Sequence, residues 1–464
     1  MANQINKIDW EKDAIAKIGI EIFCSEAGSE NGENSGINWD DANDVGTKLR
    51  SRIEPWLTAL VQSEHLSLLV GSGLSTAISG LAGTSSQGMQ KLEFKVENAN
   101  IQKAAKESAA KTGRGEANAE DVFRVAIELL RGLEIAHNEQ AEELKQEISS
   151  KLEALLNGVL KGEQEFLKAY EQGSEQEKKS TTEAFLYLKS FLLSFTSRVA
   201  SRDRLHIFTT NYDRFIEYAM DDAGILWLDR FRGMLRPVFR NSRLDLDFHY
   251  NPPGIRGEPR YVEGVSKITK LHGSLDWTFD GKSIHREPMP FGAEALPRLS
   301  SAAEQSQKTY KPLIDSVVVY PNSAKDMETA FYPYAELFRD FSAAICRPNS
   351  VVVTYGYGFG DDHINRVLQE MLTIPSTHLL VISWDKAGGR IEKFVQKCNL
   401  AQISLLLGEP FAELSNLVNF YLPKPGIDRI TQQLVKIKEN REKAGVEKQG
   451  PSSENSEMES EKNG

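Results

Sequence analysis

The chain has 464 residues, of which 40% are hydrophobic and 26% are charged, and its formal net charge at pH 7 is −11. This length predicts one large core with insertions or helical additions, and not a single small domain. No apolar run reaches the roughly 20 residues that cross a bilayer, so we expect a soluble protein without a membrane span. The acidic balance argues against a protein whose main partner is nucleic acid.

Two further features of the composition concern the compartment and redox chemistry. Residues 1–7 lack the charged and then apolar layout of a secretory signal, which predicts a cytoplasmic protein. The three cysteines, Cys24, Cys346 and Cys398, are far apart and odd in number, which argues against a disulfide framework and against a cysteine zinc site. We therefore expect buried, unreactive thiols and no zinc.

The amino-terminal segment is predicted to precede the core. A short amphipathic helix around Trp10 to Cys24 is followed by a solvated loop over 26–48, which is rich in Gly, Asn, Asp and Glu. A helix through Trp56 and Leu60 then leads into an apolar strand, Leu66–Val70. This strand is the first predicted strand of the core.

A long insertion is predicted between the first and second core strands. Residues 84–118 form a second polar stretch. From about 118 to 200, apolar residues recur at spacings of three and four, which is typical of amphipathic helices. We expect a helical insertion at about 118–200.

Strands and helices alternate after the insertion. The predicted strands are Leu205–Thr209, Val265–Leu271, Ser316–Tyr320, Ser350–Thr354 and His378–Ser383, and the predicted helices are Tyr212–Met220, Thr329–Cys346 and Asp362–Leu372. Apolar, β-branched strands separated by amphipathic helices require a parallel sheet that is covered on both faces. The predicted fold class is α/β, a Rossmann-like parallel sheet with a large helical insertion and additional N- and C-terminal segments.

A glycine loop follows the first core strand. Gly71 and Gly73 come directly after that strand, together with Ser72 and Ser75. Glycines at this place let the backbone approach a phosphate, and the N–H groups of the next helix start form an anion site. The third glycine of the usual dinucleotide fingerprint is absent, so a plain tight turn is an equally good interpretation of this segment alone.

Polar side chains follow the second core strand. Thr209, Asn211 and Asp213 stand at its carboxyl end, which is where α/β enzymes place their ligands. The alternative is helix capping, because Asn and Asp ahead of a helix satisfy its free N–H groups. Taken alone, capping is the simpler interpretation.

A histidine follows the third strand. His272 precedes Gly273 and lies at the end of the run Val265–Leu271. A side chain that titrates near neutral pH suits proton transfer at this position. A purely structural histidine is the alternative.

Three glycines follow the strand at 350–354. Gly356 begins this loop, and Asp361 and His363 stand at its end, where a helix begins. The loop can lie against a nucleotide, whereas Asp361 can simply cap the helix. Asp361 and His363 alone are too few ligands to predict a metal site.

Together these four segments resemble the signature of the sirtuin family. Sirtuins carry Gly-Ala-Gly-x-Ser where this chain has residues 71–75, Thr-Gln-Asn-Ile-Asp where it has 209–213, and a working His-Gly where it has 272–273. Residues 356–365 are similar to the Gly-Tyr-Ser-Phe-Gly-Asp-x-His-Ile-Asn element of prokaryotic sirtuin-like NAD hydrolases, several of which act in antiphage defence. The four cysteines of the sirtuin zinc module are absent from this sequence, which removes one wall of the peptide cleft that deacylases use.

The resemblance implies a role for each motif. Asn211 and His272 would orient the nicotinamide ribose and a water, and Asp213 would bind the carboxamide. The loop of residues 71–75 would hold the diphosphate. Further cofactor contacts would be made by Thr209, Gly273, Gly356, Asp361 and His363. The implied activity is hydrolysis of NAD+ to nicotinamide and ADP-ribose, with NAD+ as substrate. An NAD-dependent protein deacylase and a non-catalytic NAD or ADP-ribose sensor remain alternatives.

The resemblance also implies a domain plan and partners. The plan is an N-terminal segment (1–60), a sirtuin-like NAD-binding catalytic domain (61–400), a C-terminal segment packed on the core (401–439) and a disordered tail (440–464). Such a hydrolase would deplete NAD+ in antiphage defence by abortive infection, as a homo-oligomer or with a HerA-like ATPase or another phage-sensing partner. An arginine-rich stretch, 230–243, is the one feature that favours nucleic acid.

Overall fold

The computed structural model describes residues 8–25, 36–85, 92–111, 117, 119–198, 202–242, 246–250, 260–297, 317–319 and 333–424. The chain divides into two units, Met1–Pro423 and Lys424–Gly464, and all of the elements described below belong to the first. The predicted tail over 440–464 lies outside the described residues.

A nine-stranded sheet forms the centre of the first unit. Its strands are β1 (Ile15–Ile18), β2 (Glu21–Cys24), β3 (His65–Val70), β4 (Leu205–Thr209), β5 (Leu226–Leu228), β10 (Val265–Lys270), β14 (Ser350–Tyr355), β15 (His378–Ser383) and β16 (Ile403–Leu407). They lie in the order β2-β1-β16-β15-β14-β3-β4-β10-β5. All neighbours from β16 to β5 pair in parallel, and only β1 and β2 pair antiparallel. The predicted α/β fold class with a Rossmann-like parallel sheet is confirmed.

Helices cover both faces of this sheet. The helices are α1 (Ala42–Val61), α2 (Gly73–Ala82), α3 (Asn98–Lys111), α4 (Ala119–Ile135), α5 (Gln140–Gln172), α6 (Glu175–Thr196), α7 (Phe215–Asp222), α8 (Tyr334–Ile345), α9 (Asp362–Met371), α10 (Arg390–Val395), α11 (Glu409–Ala412) and α12 (Leu414–Asn416). Along β14, Val351 and Val353 pack into the core beside α1, α2, α6 and α7, whereas Val352 packs beside α8, α9 and α10. This burial on both faces is why the strands read as continuous apolar runs.

The insertion between β3 and β4 comprises α3, α4, α5 and α6. Helices α3, α4 and the first part of α5 form a core of their own, which includes Ile101, Phe123 and Leu152. Three helices within 119–196 confirm the helical pattern predicted there. Helix α3 lies within the polar stretch over 84–118, ahead of the predicted start of the helical insertion, and buries Ile101, Ala105 and Ala109.

A second, smaller sheet is formed by strands on both sides of β10 in the sequence. It contains β6 (Phe231–Arg232), β7 (Val238–Phe239), β11 (Gly273–Phe279), β12 (Ile284–Arg286) and β13 (Val317–Val319), paired antiparallel in the order β13-β11-β12-β7-β6. A separate pair is formed by β8 (His249–Tyr250) and β9 (Arg260–Tyr261). The predicted strand at 316–320 is present as β13, although it belongs to this second sheet and not to the parallel one.

The amino-terminal prediction is corrected by β1 and β2. The segment predicted as an amphipathic helix forms two strands, because β1 pairs with β16 and extends the sheet at that edge. Ile15 and Ala16 are fully buried in the cores of opposite faces, which is the alternation of a strand. The predicted loop over 26–48 ends earlier than expected, since α1 begins at Ala42 with Asp41 as its N-cap, and its part at 26–35 lies outside the described residues.

After β15, the chain as far as Pro423 belongs to the first unit, and the part of the predicted C-terminal segment at 425–439 lies outside the described residues. The strand β16 pairs in parallel with β15, and a 3-10 turn, Leu400–Gln402, precedes it. After β16, the helices α11 and α12 and a π-helical turn, Leu417–Tyr421, bury apolar side chains in the core beside α1. In the described residues, no helix has the length and apolar character needed to cross a membrane.

Candidate functional site

The four motifs stand side by side at one edge of the sheet. The last residues of β3, β4 and β10 are in register, since Thr209 pairs with both Val70 and Lys270. The last residue of β14, Tyr355, pairs with Val70 on the other side. Because parallel strands all end at the same edge, residues 71, 211, 272 and 356 follow four adjacent strand ends.

This edge contains the switch point of the sheet. From β3 the chain continues to β4 on one side, whereas β14 lies on the other side of β3. In open α/β sheets the crevice beyond the carboxyl ends at such a point is the usual ligand site. The glycine loops after β3 and β14 are therefore at the position that the fold favours for binding.

The glycines of these two loops pack against each other. Gly71 N donates to Tyr355 O at 3.1 Å, and Gly73 N donates to Gly356 O at 3.1 Å. A Cβ on Gly73 would lie 2.5 Å from the Cα of Gly356, and a Cβ on Gly71 would overlap Gly356 O. The absence of side chains at Gly71 and Gly73 is thus required by loop packing, which sequence reasoning attributed to approach of a phosphate.

The amino terminus of α2 offers an anion site. This ten-residue helix begins at Gly73 and has the exposed Ser72 as its N-cap, whose side chain forms no capping bond. The dipole and the free N–H groups of a helix start favour a negative charge. The geometry at Ser72 and Gly73 therefore suits a phosphate group.

Hydrogen bonds join the Asn211 motif to α2. Asn211 is 7% exposed, and its Nδ2 donates to Gly71 O at 3.1 Å and to Ser75 Oγ at 3.0 Å. Ser75 Oγ donates to Asp213 Oδ2 at 2.6 Å. With Nδ2 engaged, the carbonyl oxygen of Asn211 is the atom that can accept from a ligand or a water.

Backbone and capping bonds fix the same turn. Thr209 Oγ1 accepts from Asn211 N at 3.1 Å, which holds the turn to the end of β4. Asp213 Oδ1 accepts from Phe215 N at 3.4 Å, so the capping interaction considered from the sequence is also present. Lys270 Nζ donates to Asp213 O and, at 2.8 Å, to Glu217 Oε1. Lys270 thus ties the end of β10 to this turn.

His272 lies between the two sheets. It follows β10 of the parallel sheet and precedes β11 of the antiparallel one, and Gly273 makes this turn with a φ of +90°. The imidazole is 5% exposed, and its Nε2 lies 3.1 Å from Asp361 Oδ2. The structure therefore brings His272 and Asp361, which are 89 residues apart, into one pair.

The remaining predicted contacts are at the start of α9. Asp361 is the N-cap of α9, and its Oδ1 accepts from His363 N at 3.0 Å. The ring of His363 packs edge-on against Phe338 of α8, with 4.3 Å between the ring centroids. Tyr357 Oη donates to Asp361 O at 3.2 Å, a contact that the sequence did not suggest. Among the described residues, no group of three or more His, Cys, Asp or Glu side chains is arranged to hold a metal ion.

A cluster of buried charged side chains lies next to the turn at 211–213. Arg214 pairs with Glu163 of α5, with 2.6 Å between Nη2 and Oε2. Burial lowers the pKa of Arg214, but the charge and hydrogen bonds of Glu163 outweigh it and the pKa is raised. Burial raises the pKa of Glu217, against the effect of Lys270. Sequence reasoning missed Glu163, Arg214 and Glu217 because nothing in the pattern separates them from exposed helical charges.

Two cavities lie against strands of the parallel sheet. One of about 360 Å³ is lined by Arg214, Lys270 and Asp276 together with aromatic side chains of the second sheet. Another of about 430 Å³ lies along β4 and β10 and is lined by His206 and Lys267 among others. Neither lining includes Asn211 or His272.

Two arginines of the arginine-rich stretch have acidic partners. Arg230 Nη2 donates to Asp340 Oδ1 at 2.7 Å, and Arg236 forms two hydrogen bonds to Glu287 Oε1, at 2.7 and 2.9 Å. The pairing reduces the charge that these two side chains present to a phosphate backbone.

Comparison with known proteins agrees with this geometry. Residues 205–403 match the SIR2-like domain family, a range that contains three of the four motifs and most of the parallel sheet. The match supports a relationship of this region to the sirtuin-like family. SIR2-like domains bind NAD+, so the match is compatible with an NAD-dependent enzymatic activity. No curated protein matches the chain.

Proposed function

We propose that this protein is an NAD+ hydrolase, which cleaves the bond between the nicotinamide nitrogen and the ribose. The observation that carries the proposal is the strand register. Asn211 and His272 each stand two residues beyond a paired strand end, and Gly71 stands one residue beyond the third. An amide, an imidazole and a helix start thus lie next to each other at the edge where the fold favours a ligand.

The reaction requires the protein to position the substrate and a water, and it does not require a covalent intermediate. Loss of nicotinamide leaves an oxocarbenium-like ribose, so the protein has to hold the sugar and present a water. In this proposal the Asn211 carbonyl oxygen and His272 orient the ribose and the water, and Asp213 accepts from the carboxamide. Water adds to the ribose carbon as the bond to nitrogen breaks, its proton passes to His272 and then to solvent, and the products are nicotinamide and ADP-ribose.

The direct test uses purified protein and NAD+. Chromatography of the products is expected to show nicotinamide and ADP-ribose in equal amounts. His272→Ala should abolish the release, whereas His249→Ala, at an exposed position in β8, serves as the matched control and should not change it. A chain that releases no nicotinamide, alone or with a candidate partner, would contradict the proposal and favour a sensor. Release that requires an added acyl-lysine peptide would assign a deacylase.

The cellular role that we propose is depletion of NAD+ in antiphage defence, in the cytoplasm, as a homo-oligomer or with a HerA-like ATPase or another phage-sensing partner. The support is the similarity of residues 356–365 to the corresponding element of prokaryotic sirtuin-like NAD hydrolases. Size-exclusion chromatography with light scattering tests the assembly, and a strict monomer under all conditions would count against it. NAD+ levels in infected cells that carry the native chain or His272→Ala test the role.

A further inference from the structure

A buried ion pair connects the helical insertion to the turn that carries Asn211 and Asp213. Glu163, on α5, is fully buried, and Arg214, the residue directly after Asp213, is 6% exposed. Burying a charge is unfavourable unless it is paired and hydrogen-bonded, so each partner depends strongly on the other.

One carboxylate accepts four hydrogen bonds at this place. Glu163 Oε1 accepts from Arg214 N at 2.9 Å and from Arg214 Nε at 3.3 Å, and Oε2 accepts from Arg214 Nη2 at 2.6 Å and from Gly292 N at 3.1 Å. Arg214 also donates to Met289 O and, at 2.9 Å, to Pro290 O. Glu163 therefore fixes the backbone that begins α7 and the loop at 289–292 at the same time.

Aromatic packing surrounds this ion pair. The rings of Phe166, Phe215 and Phe291, one from each of the same three segments, pack edge-to-face, with centroids 5.2 to 6.4 Å apart. On the other side of the turn, Tyr212 and Leu275 belong to the apolar core of the insertion. The insertion thus contacts both the segment that carries Asn211 and the segment that carries His272.

We infer that Glu163 is a positioning residue for the reaction, which acts from the insertion through Arg214 on the Asn211–Asp213 turn. The inference rests on the proposed function. Its physical basis is that Arg214 N, which Glu163 binds, is one peptide bond from Asp213 and three residues from Asn211. A displacement of about 1 Å at a reacting centre can reduce the rate by about 100-fold.

The test compares Glu163→Gln with Glu165→Gln. The first replacement keeps the shape but turns one acceptor oxygen into a donor that faces the guanidinium. The second removes a charge two residues further along α5, where Glu165 pairs with Lys161. We expect kcat for NAD+ to fall about 100-fold in Glu163→Gln, with KM changed less than about three-fold, and no change in Glu165→Gln. Affinity for ADP-ribose should fall much less than kcat in Glu163→Gln, because the hydrogen bonds of Glu163 go to Arg214 and Gly292 and not directly to the start of α2.

Hydrogen exchange gives a readout that does not need turnover. In Glu163→Gln, amides at 209–215 and 289–292 should exchange faster, whereas those at 66–71 should not. A native chain without activity would contradict the proposed function alone, and the exchange pattern would still decide the role of Glu163. An unchanged kcat in folded Glu163→Gln, or faster exchange over the whole protein, would overturn the inference.

Discussion

Nε2 of His272 lies 3.1 Å from Oδ2 of Asp361, and both side chains are more than nine-tenths buried. The other oxygen of Asp361 accepts from the backbone N–H groups of His363 and Ile364 at the start of α9. The helix start therefore fixes the direction of the carboxylate that meets the imidazole. A carboxylate accepts only, so a neutral imidazole bonded to it through Nε2 carries its proton on that nitrogen.

This relationship predicts the effect of Asp361→Asn. Asparagine is as good an N-cap as aspartate, so α9 and the unfolding temperature should be retained. Its amide can donate to Nε2, which would stabilise the opposite imidazole tautomer, and it removes the negative charge that stabilises a protonated imidazole. We expect kcat for NAD+ to fall at least about 100-fold, the usual contribution of a positioned acid or base.

Asp361→Ala separates the two roles of this side chain. It should lose the same activity and, in addition, about 1 kcal/mol of stability, because the cap is removed. Full activity in Asp361→Asn would show that the carboxylate only caps α9. Steady-state kinetics and thermal unfolding of both variants provide the measurement.

Ser75→Ala tests the link between α2 and the Asn211 turn. Ser75 Oγ donates to Asp213 and accepts from Asn211, so its removal leaves both side chains with one partner fewer. We expect KM for NAD+ to rise about ten-fold and stability to fall by about 1 kcal/mol, the usual net contribution of such bonds. Thr76→Ala, at an exposed position on the same helix, is the control and should leave KM unchanged. An unchanged KM in Ser75→Ala would show that this bond does not contribute to the site.

The parallel strands were predictable because burial on both faces imposes a local signal. Each residue of β14 is buried, so Ser350–Tyr355 reads as a short β-branched run bounded by turns. The four motifs could be located for the same reason, since each follows such a run. Their register could not be predicted, because it depends on pairing between strands that are 60 or more residues apart in sequence.

The missed elements lack such a signal. Helix α3 buries Ile101, Ala105 and Ala109 at spacings of four, and the small alanines conceal its apolar face among polar residues. The strands β6 and β7 have two residues each, too few for any period to appear. Glu163 has the same sequence context as the exposed glutamates around it, and only tertiary packing makes it the buried partner of Arg214.

Gly356→Ala tests the contact between the two glycine loops. Gly356 has a φ of +59°, and a Cβ there would lie 2.6 Å from the Cα of Gly73 and 2.9 Å from Leu74 N. Left-handed backbone strain and overpacking together should destabilise the protein by about 2 to 4 kcal/mol. Gly358→Ala is the matched control in the same loop, because its Cβ would meet only the end of Arg390, at 3.3 Å. Chemical denaturation measures the difference, and equal stability of the two variants would contradict the packing role.

The lowered pKa of His378 leads us to expect that folding stability decreases at acidic pH. Burial, helped by the charge of Lys17, lowers the pKa of His378 to about 4, and Ser404 Oγ lies 2.9 Å from its Nε2. Above the ordinary pKa of 6.5, the imidazole is neutral in both folded and unfolded chains. As the pH falls from 6.5 towards 4, only the unfolded chain takes the proton, so folding stability falls, by about 2 kcal/mol between pH 6.5 and 5.

The variant His378→Gln isolates this contribution. Glutamine keeps a hydrogen-bonding group near Ser404 but does not titrate, so the variant should lose less stability than the native chain between pH 6.5 and 5. Above pH 7 the stability difference between the two proteins should be constant, which serves as the internal control. Because the other ionisable groups are the same in both, subtracting the two unfolding curves leaves the contribution of His378. Parallel curves from pH 7 to 5 would show that the native histidine takes up its proton as readily as the unfolded one.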